Sequence, residues 1–384
     1  MNMIRPASVE EVQSAVREHL RFLPRGGGTK PALSTPPDGV TPIDLSAISG
    51  IVEYEPGEFT FTAKAGTRVA DVMRLLDQHG QYLPFDPLLA ERGATLGGMV
   101  ASGASGPGRY RYGGVRDFLL GVRFVNSEGE VVRGGGKVVK NAAGFDIPKL
   151  MVGSLGQLGL LVELSFKVFP RPEAYASLRL ECAALDDALQ ALHRLYGSQL
   201  DIDALDVEPA QSGATLRPPL RSAQGFGSEL ALSLAKGQAL WVRLGGLASA
   251  MPARLDRLRA LLGGGEVVEG PDEASLWRAV RELDWVPAGW SLIKVPLTPR
   301  RIPQLEQSLA GGLAIRRYSG GGQVAWIASL ESPQSFDALL SSQGLSGLVL
   351  LGPPGRPRLG VRIGDTFARR VKQALDPARR FAEA

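Results

Sequence analysis

Apolar positions in the first sixty residues recur with the period of a helix and then with the period of strands. Residues 8–20 carry valine and leucine at helical spacing, and Ser8 with Glu11 forms a capping box that predicts where this helix begins. A short strand is predicted at 21–23. Residues 51–63 alternate apolar and polar side chains and predict a hairpin.

The pattern continues through the next hundred residues. Thr67 is expected to cap a second helix, which Gly80 ends, and Thr95 is expected to cap a third. Residues 120–133 predict another hairpin, and residues 160–169 predict the last strand before a break.

Pro170-Arg171-Pro172 is the strongest domain boundary in the chain, because two prolines interrupt regular structure. Beyond it, helical and strand-like segments are mixed, which predicts an α+β unit whose antiparallel sheet is covered on one face. A basic amphipathic helix is expected at 366–375. The other helices are predicted at 184–195, 252–262, 299–309 and 335–341, and the strands at 239–244, 291–295, 323–328 and 347–351.

Two segments far apart in sequence are dense in glycine, residues 25–29 and residues 94–103. Glycine lets the backbone approach a ligand closely and turn its N–H groups toward an anion. Two such segments suggest a long cofactor that carries a diphosphate and is held at two places. Glycine is abundant overall, at 48 of 384 residues.

Charge and composition narrow the partners. The chain has 43 basic and 39 acidic residues, a net charge of +4, without a run of lysine or arginine. This favours an anionic ligand and gives little support to nucleic acid.

The single cysteine, Cys182, excludes a disulfide or an iron–sulfur cluster held by four cysteines within the chain, and we interpret it as a buried core residue. No metal site is expected. The sequence has no apolar run of membrane-spanning length and no signal-peptide core. We therefore expect a cytoplasmic protein, not an integral membrane protein, for which peripheral association with the inner face of the membrane stays open.

Common nucleotide motifs are missing. No Gly-x-Gly-x-x-Gly follows a strand and opens a helix, and residues 134–137 lack the spacing of a Walker phosphate loop. The three histidines, His19, His79 and His193, each fall near a predicted helix end and suggest structural roles.

Four segments in order carry a resemblance to a known family. They are residues 24–29, residues 93–103, residues 112–121 and residues 137–159. Together they resemble the vanillyl-alcohol-oxidase-type (PCMH-type) FAD-binding oxidoreductases over about residues 1–172. The spacing Gly-Gly-x-x-x-Lys-Asn-x-x-Gly-Phe-Asp at 135–146 is typical of the branch that oxidises 2-hydroxy acids. Within that branch the chain is most similar to the FAD-binding E subunits of bacterial glycolate oxidases.

The resemblance implies an α+β fold with a two-lobed FAD-binding domain at 1–172, its lobes at about 1–85 and 86–172. A smaller α+β cap domain with an antiparallel sheet is expected at 173–355. The segment 356–384 is expected to hold a C-terminal helix that returns to the FAD-binding domain.

The resemblance also implies FAD as the cofactor. Many relatives attach flavin through a histidine in the first loop, and this loop has none, so we expect non-covalent FAD. Its diphosphate would take backbone N–H groups and hydroxyls, and its reducible edge would face a cation, for which Arg116, Lys137 and Lys140 are candidates. The cofactor-binding residues expected are Arg25, Gly26, Gly27, Gly28, Thr29, Lys30, Thr95, Gly97, Gly98, Ala101, Ser102, Gly103, Arg116, Lys140, Gly156, Gly159 and Val162.

Catalytic residues are not evident. Catalytic relatives carry histidines in the second half of the chain, whereas residues 194–384 contain none. Lys294, Arg316, Arg317 and Tyr318 could orient a carboxylate, but we interpret each as a packed or solvated residue. The ending Asp376 to Phe381 matches the usual tail of the family only in part.

The resemblance implies partners, namely the catalytic FAD subunit and the iron–sulfur subunit of a glycolate oxidase complex that converts glycolate to glyoxylate. This chain would then be an FAD subunit that assists or relays electrons. Two alternatives stay open at this point. One is a free-standing FAD-dependent dehydrogenase for a 2-hydroxy acid or an alcohol, and the other is a flavin-free structural subunit.

Overall fold

The computed structural model describes residues 3–19, 21–136, 145–210 and 237–382. Its chain order in the first half matches the predicted alternation of short helices and hairpins. The strands of this half are β1 Phe22–Arg25, β2 Thr41–Asp44, β3 Ile51–Glu55, β4 Thr60–Lys64, β5 Gln81–Tyr82, β6 Leu119–Val125, β7 Val131–Gly135, β8 Leu160–Lys167 and β9 Phe169–Pro170. The helices of this half are α1 Val9–Glu18, α2 Pro31–Ser34, α3 Val69–Asp77, α4 Leu96–Ser102, α5 Arg109–Tyr112, α6 Val115–Phe118 and α7 Ile147–Met151.

The second half contains longer elements. Its strands are β10 Ala174–Cys182, β11 Ala204–Glu208, β12 Gln238–Gly246, β13 Glu266–Glu269, β14 Ser291–Pro296, β15 Ala314–Ser319, β16 Val324–Ser329, β17 Ser346–Leu351 and β18 Arg358–Gly360. Its helices are α8 Leu185–Tyr196, α9 Met251–Leu262, α10 Gly270–Arg281, α11 Ile302–Leu309, α12 Pro333–Ser342 and α13 Asp365–Leu375. Within the described ranges, no helix has both the length and the apolar character needed to cross a bilayer.

Two antiparallel sheets dominate the fold, which makes it α+β as expected. Five strands of the first half pair in the order β3-β4-β8-β6-β7, and all nine strands of the second half pair in the order β13-β10-β12-β11-β15-β16-β14-β17-β18. β1 and β2 form a separate parallel pair. The sequence predicts four strands for the cap, and its sheet has nine, because β10, β11, β13, β15 and β18 join the predicted four.

The nine-stranded sheet is covered on both faces, not on one. Successive residues of β14 belong to different apolar clusters, since side chains of a strand alternate between its two faces. Ile293 lies in the cluster built with α8, α9, α11 and α12. Leu292 lies in the cluster that contains the core of the first half, including Leu89 and Met99. The sheet therefore packs helices on one side and the glycine-rich half of the chain on the other.

Two of the predicted helix caps are present and one prediction was wrong. Ser8 Oγ accepts the N–H of Glu11 at 3.1 Å, and Thr95 Oγ1 accepts the N–H of Gly98 at 3.3 Å. Thr67 does not cap α3, which begins one residue later with Arg68 in the capping position. The Thr67 hydroxyl instead bonds to the backbone of Gly50 and ties two loops together.

The C-terminal segment contacts the first half of the chain. Lys372 Nζ of α13 donates to the carbonyl of Gln157 at 3.2 Å, and Ser127 Oγ donates to the carbonyl of Leu375 at 3.1 Å. Further on, the ring of Phe381 meets the ring of Phe22 edge-on, with centroids 5.0 Å apart. These contacts hold residues 365–381 against the first half of the chain.

Candidate functional site

The two glycine-rich segments touch each other, and their glycines are what allows this. A Cβ on Gly26 would overlap Thr95 Oγ1, and a Cβ on Gly27 would overlap the carbonyl oxygen of Gly93. Gly28 has a φ of +66°, a backbone conformation that favours glycine. The loop after β1 is therefore pressed against the start of α4, and the two segments form one wall.

Helix α4 is held close to the end of β4. Its first turn contains Gly97, where a Cβ would come 3.1 Å from Ala65. Gly103 ends the helix with a φ of +58°. A larger residue at either position would move α4 away from the sheet. The two glycines therefore keep α4 close to the sheet beside the cleft.

That cleft gathers most of the residues that the sequence predicts for cofactor binding. It runs between the loop after β1, the face of α4 and the loop before β8. The predicted residues that line it are Arg25, Gly26, Gly27, Gly28, Thr29, Lys30, Thr95, Gly97, Gly98, Ala101, Ser102, Gly156 and Gly159. Three segments meet at one place, and the first and the last of them are separated by more than a hundred residues of chain.

The charge of the cleft is uniformly positive. Arg25 and Lys30 are the ionisable residues that line it, and no aspartate or glutamate does. The Lys30 side chain is only 7% exposed, and burial lowers the pKa of its ammonium to about 8. Among the described residues, no carboxylate pairs with it. A buried cation without a counter-ion is costly, so the cleft suits an anionic ligand.

Three described residues among those predicted are not on the cleft wall, and a fourth predicted residue falls outside the described ranges. Arg116 is exposed on α6, and Gly103 lies just past the wall, where its carbonyl accepts from Lys294. Val162 is buried in a separate apolar cluster, with its carbonyl bonded to the N–H of Ala65. Lys140, like Lys137, lies outside the described residues.

Sequence reasoning missed the apolar part of the wall. Leu33, Leu45 and Ala65 also line the cleft, as do Leu155 and Leu161 near the start of β8. These side chains offer apolar surface, which the aromatic part of a ligand contacts. They carry no motif, although the position of Leu33 just after the glycine loop was a usable signal.

A second cleft of about 690 Å³ adjoins the first across the same loop and shares Arg25, Gly26, Gly27 and Thr95 with it. The other residues that line it include both acidic and basic side chains. Several of these side chains form ion pairs, such as Arg5 with Asp44 at 3.1 Å. It lacks the uniform charge of the first cleft.

The polar residues on the nine-stranded sheet are largely neutralised by one another. Arg317 Nε lies 2.7 Å from Asp206 Oδ2, and Arg317 also pairs with Glu208. Arg243 binds Glu273 through two contacts, of 2.7 and 3.2 Å. These arginines are thus paired with carboxylates of the protein itself. Arg317 is one of the residues that could have oriented a substrate carboxylate.

Arg316 and Tyr318 share a carboxylate in the same way. Arg316 Nε lies 3.0 Å from Glu306 Oε1, and the Tyr318 hydroxyl donates to that same oxygen at 2.5 Å. Burial, and next the neighbouring Glu306, raise the pKa of Tyr318, so its phenol stays protonated. The interpretation of these residues as packed polar groups agrees with their contacts.

Lys294 differs from the arginines. Its Nζ donates to the carbonyl of Gly103 at 3.1 Å, and no carboxylate of the described residues forms an ion pair with it. Burial, followed by the nearby positive charge of Arg109, lowers the pKa of Lys294 to about 8. A cation thus lies where β14 meets the end of α4.

Comparison with known proteins agrees with this arrangement. Residues 2–135 match the family model described as "FAD binding domain". The chain is 33% identical to the glycolate oxidase subunit GlcE of Escherichia coli over 374 residues, which cover 97% of this chain and 94% of that protein. It is 29% identical to the glycolate oxidase subunit GlcD of Bacillus subtilis over 203 residues, covering 52% of this chain and 43% of that protein.

The fold also has solved counterparts. The structure of alkyldihydroxyacetonephosphate synthase superposes with a TM-score of 0.71 at 16% identity, covering 98% of this chain and 76% of that one. At that identity the likeness concerns the fold alone. With the GlcE match spanning nearly the whole of both chains, the protein belongs to the vanillyl-alcohol-oxidase-type (PCMH-type) FAD-binding oxidoreductases and, within them, to the family of glycolate oxidase subunit GlcE.

Proposed function

We propose that this protein is the FAD-binding subunit of a glycolate oxidase complex. The complex would oxidise glycolate or a related 2-hydroxy acid to the 2-oxo acid, and this chain would pass electrons to partner subunits. The partners would be a catalytic FAD subunit and an iron–sulfur subunit. The relatives support the reaction class, since GlcE and GlcD carry the names of glycolate oxidase subunits and another relative, from Anaerostipes hadrus, is named D-lactate dehydrogenase.

The observation that carries the proposal is the composition of the first cleft. It has two cations, no carboxylate, glycines that leave the backbone accessible, and several apolar side chains. A diphosphate brings two negative charges, which Arg25 and Lys30 would balance. An isoalloxazine ring brings a flat apolar surface, which Leu33, Leu155 and Leu161 would contact. The residues present therefore fit FAD.

Each part of the chain would have a defined task toward the cofactor. Gly26 to Thr29 would offer N–H groups to the diphosphate, Thr95 and Ser102 would offer hydroxyls, and the loop at 156–159 would close the far side. Gly103, Arg116 and Val162 remain proposals although they do not line the cleft, and Lys140 remains a proposal outside the described residues. When bound, FAD supplies the two-electron acceptor that the oxidation of an alcohol group requires.

We also propose the domain division expected from the sequence, with FAD held by residues 1–172, a cap at 173–355, and a C-terminal helix in 356–384 that returns to the FAD-binding domain. The sheets support it, because every strand of the five-stranded sheet precedes Val168 and every strand of the nine-stranded sheet follows Pro172. No histidine stands in the first loop, which supports non-covalent binding.

The assignment of an accessory role rests on the cap. A substrate carboxylate needs a free cation, and a hydroxyl proton needs a base of suitable pKa. Arg243, Arg316 and Arg317 are each paired with glutamate or aspartate of this chain. Residues 194–384 contain no histidine to act as the base. Substrate oxidation would therefore take place mainly on the catalytic subunit.

An absorbance spectrum of the chain purified alone, followed by anaerobic addition of glycolate and D-lactate, tests the proposal. We expect a flavin spectrum that stays oxidised with either acid and bleaches once the catalytic subunit is added. Bleaching by substrate in the absence of any partner would refute the accessory role. A colourless protein that added FAD cannot fill would refute FAD binding altogether.

A second candidate is a free-standing FAD-dependent 2-hydroxy-acid dehydrogenase. One observation favours it, namely that Lys294, unlike the arginines of the cap, has no carboxylate partner in the described part of the chain. The same spectrum distinguishes the two candidates, because only a free-standing dehydrogenase would bleach its flavin without a partner.

A further inference from the structure

Helix α13 carries an apolar stripe of which only half is covered. Phe367, Val371 and Leu375 follow one another at intervals of four residues, which places them on one side of the helix. Ile363 lies just before the helix, on the other side of Gly364, whose φ is +74°. Val371 and Leu375 pack against the core of the glycine-rich half. Ile363 is 87% exposed and Phe367 is 70% exposed. The N-terminal part of the stripe is therefore exposed to solvent, whereas its C-terminal part is packed.

The charges around the exposed half are nearly all positive. Arg362, Arg369 and Arg370 are exposed, and Asp365 is the one carboxylate between residues 361 and 372. That carboxylate is already paired with Arg369 at 3.1 Å. The exposed residues left for a partner, on the helix and just before it, form the α13 surface: Val361, Arg362, Ile363, Phe367 and Arg370.

Three kinds of occupant are conceivable, and the composition of the α13 surface separates them. A helix is held at a bilayer by the apolar area that it buries there. In this helix Val371 and Leu375 already pack against the protein and would not enter a bilayer. A second copy of the chain would place like-charged arginines against each other across a two-fold axis, which is unfavourable. A partner protein with carboxylates around an apolar groove has neither problem.

We propose that the α13 surface docks into an acidic, apolar-floored groove of a partner protein, with Ile363 and Phe367 in the groove and Arg362 and Arg370 on its rim. Aromatic and arginine side chains are the types enriched in such interfaces, and a helix laid into a groove is a common mode of recognition. The identity of the partner rests on the proposed function, which makes it the catalytic FAD subunit of the complex.

The test is assembly of the full-length chain with the catalytic and iron–sulfur subunits, measured by analytical ultracentrifugation. The double variant Ile363→Asp, Phe367→Asp places carboxylates against an acidic groove, and we expect its affinity for the partner to fall at least about tenfold. The charge variant Arg362→Glu, Arg370→Glu should weaken assembly as well, and salt should weaken wild-type assembly. Since all four side chains are exposed, flavin absorbance and thermal stability should not change in either variant.

A matched control is Leu247→Asp, an exposed leucine (59%) that follows β12, in the other half of the nine-stranded sheet. It should assemble like the wild type. Assembly of both double variants with wild-type affinity would overturn the docking inference and leave the proposed function intact. Failure of the wild-type chain itself to assemble would overturn the proposed function, and this choice of partner with it.

Two further measurements cover the other occupants. Sedimentation with phosphatidylglycerol vesicles, but not with phosphatidylcholine vesicles, that is lost in the Ile363→Asp, Phe367→Asp variant would overturn the inference in favour of a membrane. A dimer of the purified chain that the same variant abolishes would overturn it in favour of a second copy. The inference is supported if the purified chain is a monomer and binds neither kind of vesicle. It must also bind the catalytic subunit with the wild-type α13 surface and not with the variants.

Discussion

The ammonium of Lys294 lies 3.1 Å from the carbonyl oxygen of Gly103, the residue that ends helix α4. A strand of the nine-stranded sheet thereby holds the glycine-rich helix at its C-terminal end, where the carbonyl dipoles favour a cation. The contact is made in a desolvated place beside a second cation, Arg109. The position of the helix and the titration of this lysine are therefore linked.

Replacing Lys294 with methionine should change how stability depends on pH. The folded pKa of Lys294 is about 8, against an ordinary value of 10.5. Below pH 8 the wild type bears the full cost of burying the charge, and this cost disappears as pH rises toward 10.5 because the unfolded chain then binds more protons. The wild type should gain up to about 3 kcal/mol relative to Lys294→Met over that range. Thermal unfolding at several pH values measures this.

Lys64→Met is the control for this experiment, because Lys64 is exposed at the end of β4. The comparison separates the loss of a buried lysine from the loss of an exposed one. A constant difference between the wild type and Lys294→Met would show that Lys294 titrates as an ordinary surface lysine, contrary to its placement.

Breaking the buried pair of Arg317 and Asp206 should destabilise the cap strongly. Asp206 is 0% exposed and Arg317 is 4% exposed, so Arg317→Met leaves a buried carboxylate without its counter-ion. The expected loss in the free energy of unfolding is about 3–5 kcal/mol. The exposed pair of Arg74 and Asp71 supplies the comparison, since Arg74→Met should cost under about 1 kcal/mol. Urea denaturation of both variants would contradict this account if the two losses were similar.

Local patterns in the sequence were enough to predict the hairpins, the cap at Thr95 and the family. These features depend on neighbours within a few residues or on motifs with fixed spacing, so the sequence displays them directly. The failure at Thr67 has the same origin: its hydroxyl bonds to Gly50, a distant residue that no local pattern could identify. The cleft wall formed by Leu45, Leu155 and Leu161 was missed for that reason too.

The glycines also show what sequence reasoning left incomplete. We interpreted Gly26 and Gly27 as residues that give a ligand access to the backbone, and the structure adds that they allow two chain segments to pack together. Both demands exclude a side chain, so a glycine-rich motif alone does not distinguish them. The charge of the cleft distinguishes ligand binding from packing, because packing alone would not require Lys30 to be buried without a carboxylate partner.

Gly27→Ala should damage the fold of the loop as well as cofactor binding. A Cβ at this position would overlap the backbone carbonyl of Gly93, which cannot rotate away as a side chain could. The expected cost is about 1–3 kcal/mol, together with loss of the flavin spectrum. Gly57→Ala is the matched control, since nothing lies within 4 Å of its new Cβ. Normal stability and normal flavin content in Gly27→Ala would contradict the close packing of the two segments.

Lys30→Met should separate cofactor affinity from stability. Without FAD, removing a buried charge that lacks a counter-ion should raise the melting temperature at pH 7. With FAD, loss of one charge-assisted contact to the diphosphate should weaken binding about 10- to 100-fold. Fluorescence titration of FAD into the apoprotein measures the affinity, and Ser34→Ala, which changes a neutral residue of the same cleft wall, serves as the control.

The pH dependence gives the sharper test of Lys30. Its pKa in the FAD-free chain is about 8, and a bound diphosphate would raise that pKa because it stabilises the ammonium. Above pH 8 the wild type must take up a proton to bind FAD, so its affinity should fall as pH rises, whereas the affinity of Lys30→Met should not follow this trend. Parallel pH profiles for the two proteins would show that Lys30 does not face the diphosphate, and Arg25 would then be left as the cation of the cleft.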